Sequence, residues 1–104
     1  MSGSRLEAFE KFVEKDPANV LARYSLAMEL RKAGRFEDAM ASFAEVLALD
    51  SGYVPAYFMA GQTAVECGKS EDGKRILNAG IEAAKKAGEA HAADKMGELL
   101  KTIG

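Results

Sequence analysis

Between residues 19 and 33 the apolar positions fall on two stripes of a helix rather than one. At about 100° per residue, Ala22, Leu26, Leu30 and Ala33 share one face. Leu21, Tyr24 and Met28 lie roughly opposite, beside Arg31 and Lys32. A two-helix hairpin buries only one stripe per helix, so the second stripe needs another partner. The next apolar set, Phe36, Ala39, Met40, Phe43 and Leu47, predicts a helix over Glu37 to Leu49 that packs on the first. The pattern then recurs. Val54 to Cys67 reads as a helix with a small inner face of Ala56, Ala60, Ala64 and Cys67. Phe58 and Val65 lie on its far side, with Met59 and Gln62 close by. Glu71 to Ala87 reads as its partner, with Ser70 as N-cap and Gly88 suited to ending it. At the start, Ser4-Arg5-Leu6-Glu7 has the form of a capping box. It opens a helix that ends near Lys15, before Asp16-Pro17. Glu89 to Ile103 forms a final helix, giving six helices and no strand. The connections are short, so neighbouring helices run antiparallel.

The recurrence has a fixed period. A shift of 34 residues sets Val20 on Val54, Ala22 on Ala56, Gly34 on Gly68 and Glu37-Asp38 on Glu71-Asp72. Tyr24 falls on Phe58, Arg35 on Lys69, Phe43 on Leu77 and Leu47 on Ile81. The identities sit where geometry is demanding. Each of the two glycines ends a helical pattern, and the acidic pair after it suits a helix start.

With this period, the helix-turn-helix unit and these residues, the chain resembles the tetratricopeptide repeat (TPR) family. Leu26-Ala27, Leu30, Gly34, Phe36, Ala39 and Phe43 match the family pattern in the first unit. Tyr57, Gly61, Gly68 and Leu77 match it in the second, and Phe9 with Asp16-Pro17 matches the second half of a repeat. The departures are Arg23 at a large aromatic position, Gly73 and Gly80 at small alanine positions, Ser51 at the terminal proline and Phe12 where alanine is usual. The resemblance implies an all-α, right-handed solenoid of antiparallel helix pairs. Its divisions would be an N-terminal helix over 1–16, repeats over 17–50 and 51–87, and a capping helix over 88–104.

In such a superhelix the far side of each first helix lines a concave groove. The resemblance therefore assigns Leu21, Tyr24, Met28, Arg31, Lys32, Phe58, Met59, Gln62 and Val65 to a partner-binding groove. Family members that grip the C-terminal carboxylate of heat-shock chaperones use lysine, asparagine and arginine there. The corresponding places hold Tyr24, Met28, Met59 and Ala92, so that clamp is absent. Continuing the period into the last helix puts Asp94, Glu98 and Lys101 at core positions, with Ala92, Ala93, Met96, Leu99, Leu100 and Ile103 on the other side. A polar outer face is what an end cap requires. If this helix also leans over the groove, the site is partly closed.

Composition narrows the chemistry. The chain has 104 residues, enough for one domain, with 19 alanines against two prolines. The formal charge of −2 gives no reason to seek nucleic acid or an anionic membrane. Nothing in Met1-Ser-Gly-Ser and its sequel reads as a targeting signal, so the cytoplasm is the expected location. One histidine and one cysteine rule out an intramolecular disulfide and any site built from several such ligands. Cys67 reads as a buried, inert thiol. His91, Asp94 and Glu98 read as the solvated face of the cap helix, and Lys85-Lys86 as a complement to a helix dipole. No metal and no cofactor are expected.

The expected function is a non-catalytic protein–protein interaction module that takes a partner helix or peptide in an apolar groove. The alternative is a structural unit that self-associates as a homodimer through its leftover apolar stripes. Two glycines within one helix, Gly73 and Gly80, cost about 1 kcal/mol each relative to alanine. Hydrogen exchange should therefore find the second helix of the second unit opening more readily than residues 37–49. Equal protection in the two helices would contradict this.

Overall fold

The computed structural model describes residues 2–103, and side chains from Arg5 to Ile103. Six helices follow one another: α1 (Ser2–Lys15), α2 (Val20–Lys32), α3 (Phe36–Leu49), α4 (Val54–Glu66), α5 (Ser70–Lys86) and α6 (Ala90–Lys101). The described residues contain no strand. Each helix packs on the next, and α4 also meets α6. The molecule measures 37 × 28 × 18 Å. Its shortest dimension is about two helix diameters of ~10 Å, which makes two layers, α2, α4 and α6 against α1, α3 and α5.

The turns explain the period. The amide of Gly34 donates to the Arg31 carbonyl at 3.0 Å, and that of Arg35 donates to the Leu30 carbonyl at 2.9 Å. Gly68 and Lys69 repeat this on Val65 and Ala64, and Gly88 and Glu89 on Lys85 and Ala84. The three glycines have φ between 74° and 82°, a left-handed conformation that costs other residues about 1 kcal/mol or more. Each helix end thus has its last carbonyls satisfied while the chain reverses. This geometry corrects three expected boundaries. Ser70 is the first residue of α5 rather than its cap, because Lys69 belongs to the preceding turn and makes no capping side-chain bond. Phe36 starts α3 one residue early for the same reason. Cys67 follows α4 as its C-cap residue. At the start of α2, Asn19 is a true N-cap, its side-chain oxygen accepting from the Ala22 amide at 2.9 Å. The Ser4 half of the expected capping box lies outside the described side chains, and α1 is helical from Ser2.

Two apolar clusters hold the layers together. The first joins Ala27, Leu30, Ala39, Phe43 and Val46 to Ala56 and Ala60. The second joins Val54, Leu77 and Ala84 to Ala93 and Met96 of α6. Ala33, expected on the inner face, is exposed because it caps α2. Val46 and Ser42 are buried beyond the expected set. The Ser42 hydroxyl is satisfied by donating to the Arg23 carbonyl at 3.3 Å. Arg23 itself reaches Glu45 across the α2–α3 pair.

The register break in the last helix has a local cause. α5 has 17 residues where α3 has 14. The extra turn of helix and the Gly88 reversal replace the Asp50–Tyr53 connection, so α6 starts late and rotated relative to α4. That rotation turns Met96 and Ala93 inward and leaves Asp94, Glu98 and Lys101 outside.

Close approach is built into α4 and α5. A Cβ on Gly80 would lie 2.5 Å from Tyr57 Cβ and 2.6 Å from Met96 Sδ. Tyr57 Cβ is fixed to its backbone, so the helices would have to separate. Gly97 of α6, by contrast, has nothing within 4 Å of an added Cβ. Gly80→Ala should lower stability by about 1–3 kcal/mol despite its better helix propensity. Gly97→Ala should raise it by about 0.5–1 kcal/mol. Urea unfolding of the two variants checks both signs.

Candidate functional site

The first helices of the pairs, α2 and α4, stand side by side with α6 completing the row. Between them lies an apolar depression of about 210 Å³. Tyr24 of α2 forms one side. Val54, Pro55, Phe58 and Met59 of α4 form the floor, and Ala92, Lys95 and Met96 of α6 form the far wall. Glu89, in the turn before α6, closes one corner. Pro55 is tolerated because it sits in the first turn of α4, where amides have no helical partner. The volume is below the ~300 Å³ at which small-molecule and cofactor sites begin. It suits one or two apolar side chains.

The depression brings together three of the groove residues expected from sequence, Tyr24, Phe58 and Met59. Met28 is half-buried and packs on the first apolar cluster. Gln62 is also half-buried, and Lys32 is exposed. Arg31 is held by an ion pair, its Nη2 2.8 Å from Glu66 Oε2, which links α2 to α4. Val65 faces the other layer: its Cγ2 lies 3.0 Å from where a Cβ on Gly73 of α5 would stand. Leu21 borders a separate small hollow with Phe9 and Phe12 of α1. The wall from α6 is the part that sequence reasoning did not place. Its signal was the extra length before Gly88, which resets the helix by a fraction of a turn.

The walls are also core. The Tyr24 ring lies 5.8 Å from Phe43 and 5.2 Å from Tyr53, both tilted. The ring therefore packs on these two aromatics and lines the depression as well. Burial raises the Tyr24 pKa above the ordinary tyrosine value, and nearby Tyr53 pushes it the same way. Glu89 and Lys95 give the rim one charge of each sign. Neither sign dominates this rim, and the rest of the lining is apolar.

A larger hollow of about 460 Å³ lies at the Gly34 and Gly68 turns. Its charged groups are paired within the protein, Lys69 with Glu37 at 3.1 Å and Arg35 with Asp38 at 2.8 Å. The hydrogen bond that Lys69 donates to the Glu37 carboxylate holds its pKa above the usual value. Cys67 at its edge is partly buried, its Sγ 3.9 Å from Met40 Sδ. Among the described residues no three His, Cys, Asp or Glu side chains are grouped to hold a metal ion. No described helix is long and apolar enough to cross a membrane.

Comparison with known proteins agrees with the repeat. A family model described as tetratricopeptide repeat matches residues 30–95, and a second with the same description matches residues 8–41. No match was found among curated proteins. Of solved structures, PcrH in complex with the chaperone binding region of PopD is similar with a TM-score of 0.90 and 14% identity. That match covers 98% of this chain and 77% of PcrH. The TPR2B domain of yeast Sti1 in its pHsp70 complex gives 0.87 and 16%, covering 94% of this chain and 78% of that one. A tetratricopeptide repeat domain protein from Salinibacter ruber gives 0.78 and 26%, covering 85% and 89%.

The raised Tyr24 pKa has a sign that can be checked. Folding favours the neutral phenol, so this stabilisation is complete below about pH 10. It is lost as pH rises through the higher folded value. The melting temperature of the wild type should fall across that alkaline range more steeply than that of Tyr24→Phe. Parallel declines would show that the burial of Tyr24 is not felt.

Proposed function

Because the chain belongs to the tetratricopeptide repeat family, we propose that it is a non-catalytic protein-interaction module. The partner contributes a helix or extended segment, and an apolar side chain of that segment enters the depression between α2, α4 and α6. The observation that carries this reading is the meeting of Tyr24, Phe58 and Met59 from two first helices with Ala92 and Met96 from α6. Methionine adapts to varied partners and aromatic rings give large contact area. Two proteins of this fold, PcrH and the Sti1 domain, are known in complexes with PopD and pHsp70 segments, which supports the same mode here. The absence of a lysine and arginine cluster across the row separates this site from one that reads a terminal carboxylate. The depression instead selects an apolar residue flanked by polar ones.

Met59 also packs on the first apolar cluster, so the test reads the stability of the variant beside its binding. Tyr24 packs at a tilt against Phe43 and Tyr53, so its removal would confuse binding with stability. Met59→Gln keeps the length of the side chain and makes the floor polar. Peptides selected from a display library against this chain should share an apolar residue. They should bind Met59→Gln about tenfold more weakly, a loss of ~1.4 kcal/mol. Selected peptides that bind the variant as tightly as the wild type would overturn the assignment.

A further inference from the structure

Phe12 and Leu21 are among the most exposed large apolar side chains, at 52% and 64%. Both border one hollow beside Phe9. The repeat explains why this surface is bare. α1 packs on α2 as α3 packs on α4, each being a second helix set against the first helix of the next pair. The other face of α3 packs back on α2 and carries Ala39, Ser42, Phe43 and Val46, all buried. A step back of 34 residues puts Arg5, Ala8, Phe9 and Phe12 on that face of α1, and none of these is buried. α2 borders it through Leu21, Ala22 and Ser25 and through the Arg5–Glu29 pair, and among the described residues no further helix covers it.

A further repeat helix in the same register does not fit there. Arg5 stands where small Ala39 lets α2 approach, and helices at ~8–10 Å separation have no room for a guanidinium at the crossing. Head-to-tail stacking does not fit either, because the opposite end of the row shows Asp94, Glu98 and Lys101. The surface that matches this face is the same face on a second copy. A two-fold axis passing between residues 10 and 11 of antiparallel α1 helices sets Phe9 against Phe12, twice. It also sets Arg5 against Asp16, twice. Arg5 already lies 2.9 Å from Glu29 of its own α2, so a second acid opposite it completes its coordination.

We propose that the protein forms a symmetric homodimer through the face of α1 that bears Arg5, Phe9 and Phe12. This face shares no residue with the depression between α2, α4 and α6, so either proposal can fail while the other stands. Sedimentation equilibrium of the full chain across the micromolar range should show a species of twice the 11.1 kDa chain mass. Phe12→Glu should weaken the dimer at least tenfold with unchanged circular dichroism, since Phe12 is exposed. Arg5→Asp and Asp16→Arg should each weaken it, and the double variant should restore it. An 11.1 kDa species at every concentration, a dimer indifferent to Phe12→Glu, or a double variant no tighter than the singles would each overturn the proposal.

Discussion

Helix separation at the crossing of α4 and α5 governs much of this structure. A Cβ on Gly61 would sit 2.6 Å from Leu77, and one on Gly80 would meet Tyr57 and Met96. The two helices pass so closely that a backbone without side chains is the only one that fits. Glycine is a poor helix former, so the cost is accepted in α5 in exchange for packing. Leu77 fills the space above Gly61 and is fully buried, as are Ala84 of the same helix and Met96 of α6. The second apolar cluster thus depends on residues that are absent as side chains.

That approach also shapes the candidate site. Met96 lies against Gly80, which positions α6 beside α4 rather than above it. The extra turn of α5 and the reversal at Gly88 then rotate α6 so that Ala92 and Lys95 face Phe58 and Met59. A regular repeat would have presented a different edge. The last helix therefore does two things. It covers the second cluster with an apolar face, and it supplies the third wall of a depression that the two repeats alone would leave open on one side.

Much of the fold was legible because its signals are local. Gly34, Gly68 and Gly88 mark turns that need a left-handed residue, and the alanine and leucine stripes have one angular solution on a helix. The site was less legible. A helical wheel gives the direction of a side chain but not the neighbour it meets. Leu21 and Tyr24 lie on one broad side of α2, yet Leu21 meets α1 while Tyr24 meets Phe43, Tyr53 and the groove. Val65 and Met59 diverge in the same way on α4. The pattern within α6 showed a break in register at Asp94, Glu98 and Lys101, but where α6 sits beside α4 depends on the length of α5. Burial of Ser42 was hidden because its hydrogen bond is made to Arg23, 19 residues away.

The crossing of α4 and α5 is set sterically: the missing side chain at Gly61 makes room for Leu77. A double-mutant cycle in urea isolates it. Gly61→Ala should cost about 1–3 kcal/mol in the wild type. In a Leu77→Ala background the added methyl enters vacated space, so the same change should be neutral or stabilising. An equal cost in both backgrounds would show that Gly61 and Leu77 do not compete for one volume and that the α4–α5 crossing is not set by this contact.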